Sequence, residues 1–158
     1  MHRSRRHGFT LVEILIVVVI LGILAAIVVP QFSNTTESAR QSSFISDLKA
    51  LASAAEVYTV RENQYLGDGS SGQVPAGFES YIRVSDFTGG THIGGVWDVE
   101  FQDAGGVTSA IGVHFNGSGA TRNDAYMLQI DDLFDDGNLA TGLFRKLENG
   151  RYYYVLAD

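Results

Sequence analysis

Four aspartates crowd the stretch DDLFDDGN near the C-terminus: Asp131, Asp132, Asp135 and Asp136. On a continuing helix they would form two like-charge pairs at i and i+4, each destabilising by roughly 0.2–0.5 kcal/mol. A bound cation would offset that repulsion, and carboxylate oxygens on a glycine-ended loop suit calcium. The spacing is not D-x-[DN]-x-[DN]-G, so the favoured alternative is a solvated turn of Asp135, Asp136 and Gly137 that ends a helix.

Another carboxylate, Glu13, lies near the start of an almost unbroken apolar run from Phe9 to Val29. As a helix, this run is long enough to cross a hydrocarbon core of about 30 Å. A carboxylate at membrane depth costs about 2.5–3.5 kcal/mol, so it needs a partner or a proton. Its neighbours offer no partner within the chain. A cut between Gly8 and Phe9 would create an ammonium that could pair with Glu13 of the same helix or, better placed for assembly, of an adjacent subunit. The plainer interpretation is a tolerated polar residue at a helix end near the interface.

The other polar residues form no catalytic or transition-metal pattern. Cysteine is absent, the histidines His2, His7, His92 and His114 are scattered, and neither G-x-S-x-G nor H-E-x-x-H occurs. A formal G-x-G-x-x-G at residues 67–72 leads into Val74-Pro75 and opens no helix, so it is interpreted as a flexible loop and not a nucleotide site. We therefore expect a protein that is not an enzyme and requires no cofactor.

Charge and hydropathy separate the two ends of the chain. The formal net charge is −7, and the basic residues Arg3, Arg5 and Arg6 all precede Gly8, so the remainder is more acidic still. An acidic body argues against nucleic acid as a partner.

The basic N-terminus should stay in the cytoplasm, with the chain beyond Val29 facing outward. The apolar run exceeds the roughly 7–15 residues of a secretory signal and no A-x-A site follows it, which predicts a membrane anchor.

Pro30 removes one helical hydrogen bond, which predicts a kink or a loosened turn where the helix leaves the apolar run. Beyond it, apolar residues spaced three and four apart predict an amphipathic continuation to about Glu62: Phe44, Leu48, Leu51, Ala55 and Tyr58. This stripe is either a face for packing against other subunits or a cover for the chain's own globular domain. We favour the cover for the second half of the helix.

After the breaker-rich stretch GDGSSGQVPAG, four segments are typical of antiparallel strands: YIRVSDF, VWDVEFQ, SAIGVHF and RYYYVLA. Asn149-Gly150 predicts a hairpin that pairs residues 143–147 with residues 151–156. A short helix is expected over residues 125–134, with Asn123 or Asp124 as its cap. The predicted fold class is α+β, with a long N-terminal helix, transmembrane and then amphipathic, packed on a small antiparallel sheet.

The sequence GFTLVE, followed by the apolar run and Pro30, resembles the class III signal of type IV pilins and of the pseudopilins of type II secretion. This resemblance implies that a prepilin peptidase removes residues 1–8, that Phe9 is N-methylated, and that Glu13 pairs with a neighbour's N-terminus. It also implies a pilin-like, single-pass protein of the bacterial inner membrane. The C-terminal domain would lie in the periplasm, or outside the cell after assembly.

Two classes of function follow. The first is a filament subunit in which residues 9–29 anchor the chain and later form the fibre core, residues 30–62 continue the helix, and residues 63–158 form the globular domain. Its partners would be like or related subunits, the peptidase and the inner membrane. The small cysteine-free domain looks more like a type II secretion pseudopilin than a pilin. The alternative is a membrane-tethered extracytoplasmic binding domain that does not polymerise.

Overall fold

The structure is a computed structural model that describes residues 8–102, 105–117 and 119–158, apart from the side chains of residues 30, 33 and 34. The elements are α1 (Leu11–Glu62), a 3-10 helix (Phe78–Ser80), α2 (Val84–Thr88), β1 (Val96–Glu100), β2 (Ser109–His114), α3 (Asp124–Phe134), β3 (Phe144–Glu148) and β4 (Arg151–Ala157). The strands form one antiparallel sheet in the order β1-β2-β4-β3. A long N-terminal helix with a small antiparallel sheet confirms the predicted α+β class.

Two compact units divide the chain between Ala39 and Arg40, within α1. The first unit contains Leu11–Val29, a segment long and apolar enough to cross a membrane, with a mean hydropathy of 3.3 and no buried residue. So much exposed apolar surface requires lipid or other apolar groups to cover it. The helix is continuous through Pro30. The kink or loosening expected there stays a prediction.

The second unit has its core between the C-terminal half of α1 and one face of the sheet. The predicted apolar stripe of α1 is buried throughout: Phe44, Leu48, Leu51, Ala55 and Tyr58. Phe44 stacks on Trp97 of β1 with ring centroids 5.4 Å apart, and it meets Phe144 of β3 edge-on at 6.4 Å. The stripe therefore covers the globular unit of its own chain, as favoured from the sequence.

Local sequence signals place three elements correctly. β3 and β4 pair across Asn149-Gly150, where Gly150 has the positive φ of 73° that a tight hairpin turn requires. α3 begins after Asn123, whose side chain accepts a hydrogen bond from the backbone N–H of Tyr126 at 3.0 Å. This contact identifies Asn123 as the cap of α3.

The strand predicted over YIRVSDF is wrong. This segment instead follows the 3-10 helix Phe78–Ser80 and contains the first four residues of α2. Apolar and polar residues alternate only briefly in YIRVSDF. The 3-10 helix and α2 allow both Phe78 and Phe87 to be fully buried in the core. Burial against the rest of the unit therefore outweighs the local preference of β-branched and aromatic residues for a strand.

A variant that begins at Ser33 removes the exposed apolar segment and keeps every buried residue of the described chain. We expect it to be soluble, folded and monomeric, because its core lies in the second unit. Size-exclusion chromatography with light scattering and near-ultraviolet circular dichroism would test this. Aggregation, or retention by membranes, would show that the boundary is misplaced.

Candidate functional site

The start of α1 is a capping box formed by Thr10 and Glu13. Thr10 precedes the first helical residue, Leu11. Glu13 Oε2 accepts hydrogen bonds from the backbone N–H of Thr10 at 2.7 Å and from its hydroxyl at 2.8 Å. In return, the backbone N–H of Glu13 donates to Thr10 Oγ1 at 3.3 Å. Such reciprocal bonds satisfy N–H groups that a helix start otherwise leaves without partners.

The expectation that Glu13 finds no partner within its own chain is therefore wrong. The pattern T-x-x-E ahead of an apolar run is the sequence signature of a capping box, so the signal was present in the sequence. Both donors of Thr10 are neutral, however. They orient and solvate the carboxylate of Glu13 without neutralising its charge, and in an apolar environment that charge still favours a cationic partner.

The predicted cleavage point lies just ahead of this capping box. Gly8, Phe9 and Thr10 precede the helix, and the Phe9 side chain is 83% exposed. The basic residues of the predicted leader, together with His2 and His7, lie outside the described residues. Cleavage after Gly8, methylation of Phe9 and the roles of Glu13 and Pro30 in assembly stay predictions.

The aspartate cluster at the end of α3 includes one carboxylate that is completely buried. Asp131 has no exposed surface, and neither of its side-chain oxygens has a hydrogen-bond partner in the part of the chain that the structure describes. Burial raises the pKa of Asp131 to about 6, and the charges of Asp135 and Asp136 add to the effect. The interpretation of the whole cluster as solvated surface does not hold for Asp131.

The predicted turn after α3 is present and holds the other two carboxylates. The helix ends at Phe134, and the backbone N–H of Asp135 donates to the Asp131 carbonyl at 2.8 Å. Asp136 Oδ1 accepts from the backbone N–H of Asn138 at 2.9 Å. One oxygen from each of Asp131, Asp135 and Asp136 lies within 4.8 Å of the others, whereas Asp132 is not a member of this group.

A second polar cluster lies on the sheet, where the sequence showed no pattern. Ser71 Oγ is 2.8 Å from His114 Nδ1, and Asp98 Oδ2 is 3.8 Å from the same nitrogen. A Ser–His–Asp relay needs a different ring nitrogen for each partner, so these contacts do not form one. Burial lowers the pKa of His114, and the nearby Arg151 lowers it further. His92 instead contacts Asp47 at 3.2 Å on the surface.

Arg151 is the centre of this second cluster. Its Nη1 lies 3.0 Å from Asp98 Oδ2 and 3.4 Å from Glu100 Oε2, and both carboxylates are only 2% exposed. The hydroxyl of Tyr153 donates to Asp98 Oδ2 at 2.7 Å. One guanidinium thus pairs with two buried carboxylates from β1, which is an arrangement that supports the structure of the sheet.

Comparisons with known proteins agree with the N-terminal motif. Residues 3–29 match the family model described as the prokaryotic N-terminal methylation motif. The chain is 45% identical over 65 residues to type II secretion system core protein G of Aeromonas hydrophila, covering 41% of this chain and 46% of the relative. It is 46% identical over 65 residues to the protein of the same name from Pseudomonas aeruginosa, with the same coverage.

The corresponding protein of Escherichia coli strain K12 is 39% identical over 62 residues, covering 39% of this chain and 43% of the relative. The chain spans less than half the length of the curated relatives it matches. No solved structure matches it. The chain therefore carries the prokaryotic N-terminal methylation motif and is similar, over less than half its length, to type II secretion system core protein G.

Proposed function

We propose that this chain is a structural subunit of a type IV pilus-like filament, and specifically a pseudopilin of type II secretion, that polymerises through its N-terminal helix. One observation carries the proposal. The methylation motif of residues 3–29 coincides with a fully exposed apolar helix whose single carboxylate, Glu13, has only neutral partners among the described residues. A filament supplies both the apolar cover and the missing cation.

The exposed apolar segment serves two environments in turn. Before assembly it is a single-pass anchor in the inner membrane, with the basic N-terminus in the cytoplasm and the globular unit in the periplasm. After assembly the same surface is covered by the helices of neighbouring subunits in the fibre core. Pro30, at the end of this segment, gives the helix a point at which it can loosen as the subunit leaves the membrane.

Glu13 sets the register between neighbouring subunits. The capping box holds its carboxylate at the helix start, and cleavage after Gly8 creates the ammonium of Phe9 as a partner for an adjacent subunit. In the dry fibre core, an unpaired charge would be far more costly than at a wet surface. Correct axial placement of a new subunit therefore stabilises both charges at once, and misplacement leaves both unpaired.

The partners implied by this function are other pilin-like subunits, a prepilin peptidase and the inner membrane. The role is structural and not enzymatic, in keeping with the polar cluster on the sheet, whose groups contact one another. A membrane-tethered binding domain that never polymerises is the competing function. Such a tether would have no need of a free, methylated Phe9, so processing separates the two.

Replacing Gly8 with leucine should leave the precursor uncleaved in the membrane, because the motif places a small residue before the cut. Intact-mass analysis of the unaltered protein from its native host should show a chain that begins at Phe9 and is one methyl group heavier than its sequence. Gly22→Leu is the matched control, since Gly22 has open space around it within the apolar segment. An unaltered chain that retains residues 1–8 would contradict the proposal.

Deletion of the gene separates a pseudopilus from a pilus. We expect deletion to block export of secreted enzymes, with the proteins accumulating in the periplasm, and expression of the intact chain to restore export. Fractionation and activity assays of a known exported enzyme would measure this. Normal export combined with loss of a long surface fibre would assign the subunit to a pilus instead.

A further inference from the structure

Residues 70–73 form a turn, here called the strap turn, that lies between two buried residues of the chain. Leu66 before the turn and Pro75 after it are both buried. The turn is closed by a hydrogen bond that the backbone N–H of Gln73 donates to the carbonyl of Ser70 at 2.9 Å. This segment can therefore open locally while both of its ends stay fixed in the globular unit.

One backbone contact and one side-chain contact fasten the strap turn to the sheet. The backbone N–H of Gly72 donates to the carbonyl of Trp97 in the edge strand β1 at 2.8 Å. Ser71 Oγ lies 2.8 Å from Nδ1 of His114 in β2. A Cβ atom at residue 72 would lie 3.3 Å from Cβ of Val96, and Gly72 has a φ of 82°, so glycine permits this close approach to β1.

The same ring nitrogen of His114 faces a second partner, the buried carboxylate of Asp98. Asp98 Oδ2 lies 3.8 Å from Nδ1, and the side chains of His114 and Asp98 are 20% and 2% exposed. The hydroxyl of Ser71 can donate to Nδ1 only when that nitrogen carries no proton. A protonated ring can only donate, and a carboxylate is a stronger acceptor than a hydroxyl. The charge of His114 therefore decides which of the two partners Nδ1 prefers.

The charged groups that act on His114 come from the three other strands of the sheet. Burial and the charge of Arg151 on β4 lower the pKa of His114, whereas Asp98 on β1 and Glu148 on β3 oppose this effect. Glu100, also on β1, contacts the same Arg151 at 3.4 Å. Because the pKa of His114 lies below that of an ordinary histidine, the ring is neutral near neutral pH and takes up a proton only in acid.

We propose that His114 is an acid-operated latch, which holds the strap turn through Ser71 when it is neutral and releases the turn when it is protonated and pairs with Asp98. Opening of the turn exposes the ring to water and brings its pKa back toward the ordinary value, so acid favours the open turn. The open turn also uncovers the carbonyl of Trp97 on the outer edge of β1. The latch belongs to the globular unit, so it does not depend on whether the chain forms filaments.

The test is amide hydrogen exchange of the full chain in detergent micelles, followed by NMR from about pH 7.5 to about pH 5. Protection is expressed relative to an unstructured peptide at the same pH. We expect protection of the Gly72 amide to fall by about five- to tenfold in acid, as loss of one hydrogen bond predicts. The midpoint of this fall should coincide with the titration of the His114 ring in the same sample.

The amide of Ile111 is the internal reference for this measurement. Ile111 lies in β2, which is paired with β1 on one side and β4 on the other, so only unfolding of the sheet exposes its amide. Its protection should stay constant while that of Gly72 falls. The proposal is overturned by constant protection at Gly72, by a midpoint that differs from the His114 titration, or by a parallel loss at Ile111.

Three variants separate the latch from a general effect of acid. His114→Gln keeps an acceptor for the hydroxyl of Ser71 but does not titrate, so the Gly72 amide should stay protected in acid. Ser71→Ala should give, already at neutral pH, the lowered protection that the unaltered protein shows only in acid. His92→Gln is the matched control, because it removes an exposed histidine that contacts Asp47 at 3.2 Å. It should keep the acid response of the unaltered protein, and the opposite result for any of the three variants would contradict the latch.

Discussion

Glu13→Ala should abolish filament assembly while leaving membrane insertion and removal of residues 1–8 intact. The substitution makes the apolar segment more apolar, so insertion is favoured. In the fibre core, however, the ammonium of a neighbouring Phe9 would lose its partner. Breaking one member of a buried ion pair costs about 3–5 kcal/mol, which corresponds to roughly a hundredfold or greater loss of subunit affinity.

Glu13→Gln separates the pairing role of Glu13 from its capping role. Glutamine keeps an acceptor for the donors of Thr10, which lie 2.7 and 2.8 Å from Glu13 Oε2, but it carries no charge. If pairing is essential, both variants should be cleaved and neither should form fibres. Cross-linking of neighbouring subunits in the membrane fraction and intact-mass analysis would measure the two steps. Normal filament yield from Glu13→Gln would mean that capping, and not charge, is what assembly requires.

Arg151→Met should destabilise the globular unit by about 3–5 kcal/mol at neutral pH, because it removes the arginine that pairs with the buried carboxylate of Asp98. Asp98 and Glu100 are each 2% exposed and lie 3.0 and 3.4 Å from Arg151 Nη1. Chemical denaturation of the chain in detergent would measure the change. The matched control is Arg83→Met, which removes a 79% exposed arginine that lies 3.8 Å from Asp86. That change should cost less than about 1 kcal/mol.

The deficit in the free energy of unfolding that Arg151→Met causes should also depend on pH. A carboxylate left buried and unpaired binds a proton more readily in the folded state than in the unfolded state. The folded state then gains stability as pH falls, so the deficit should be smaller at acidic pH than at neutral pH. A deficit that is constant with pH would indicate that packing of the Arg151 stem, and not its charge, accounts for the loss.

Much of this protein could be predicted because its strongest signals are local in sequence. The membrane-length segment depends only on the number of consecutive apolar residues. The hairpin depends on the adjacent pair Asn149-Gly150, and the cap of α3 depends on Asn123 and the next few backbone groups. The capping box of Thr10 and Glu13 is equally local, because its two residues lie three positions apart in the sequence.

The sequence by itself determined the methylation motif, the apolar segment, the amphipathic stripe of α1 and the hairpin, since each is set by neighbours along the chain. Only the tertiary structure decided that residues 78–88 form helical turns, because that choice depends on burying Phe78 and Phe87 against distant residues. It also decided that Arg151 meets Asp98 and Glu100, which are brought together by strand register. The same holds for Asp131. Four aspartates look alike in sequence, and only packing determines that Asp131 is the one that loses its contact with water.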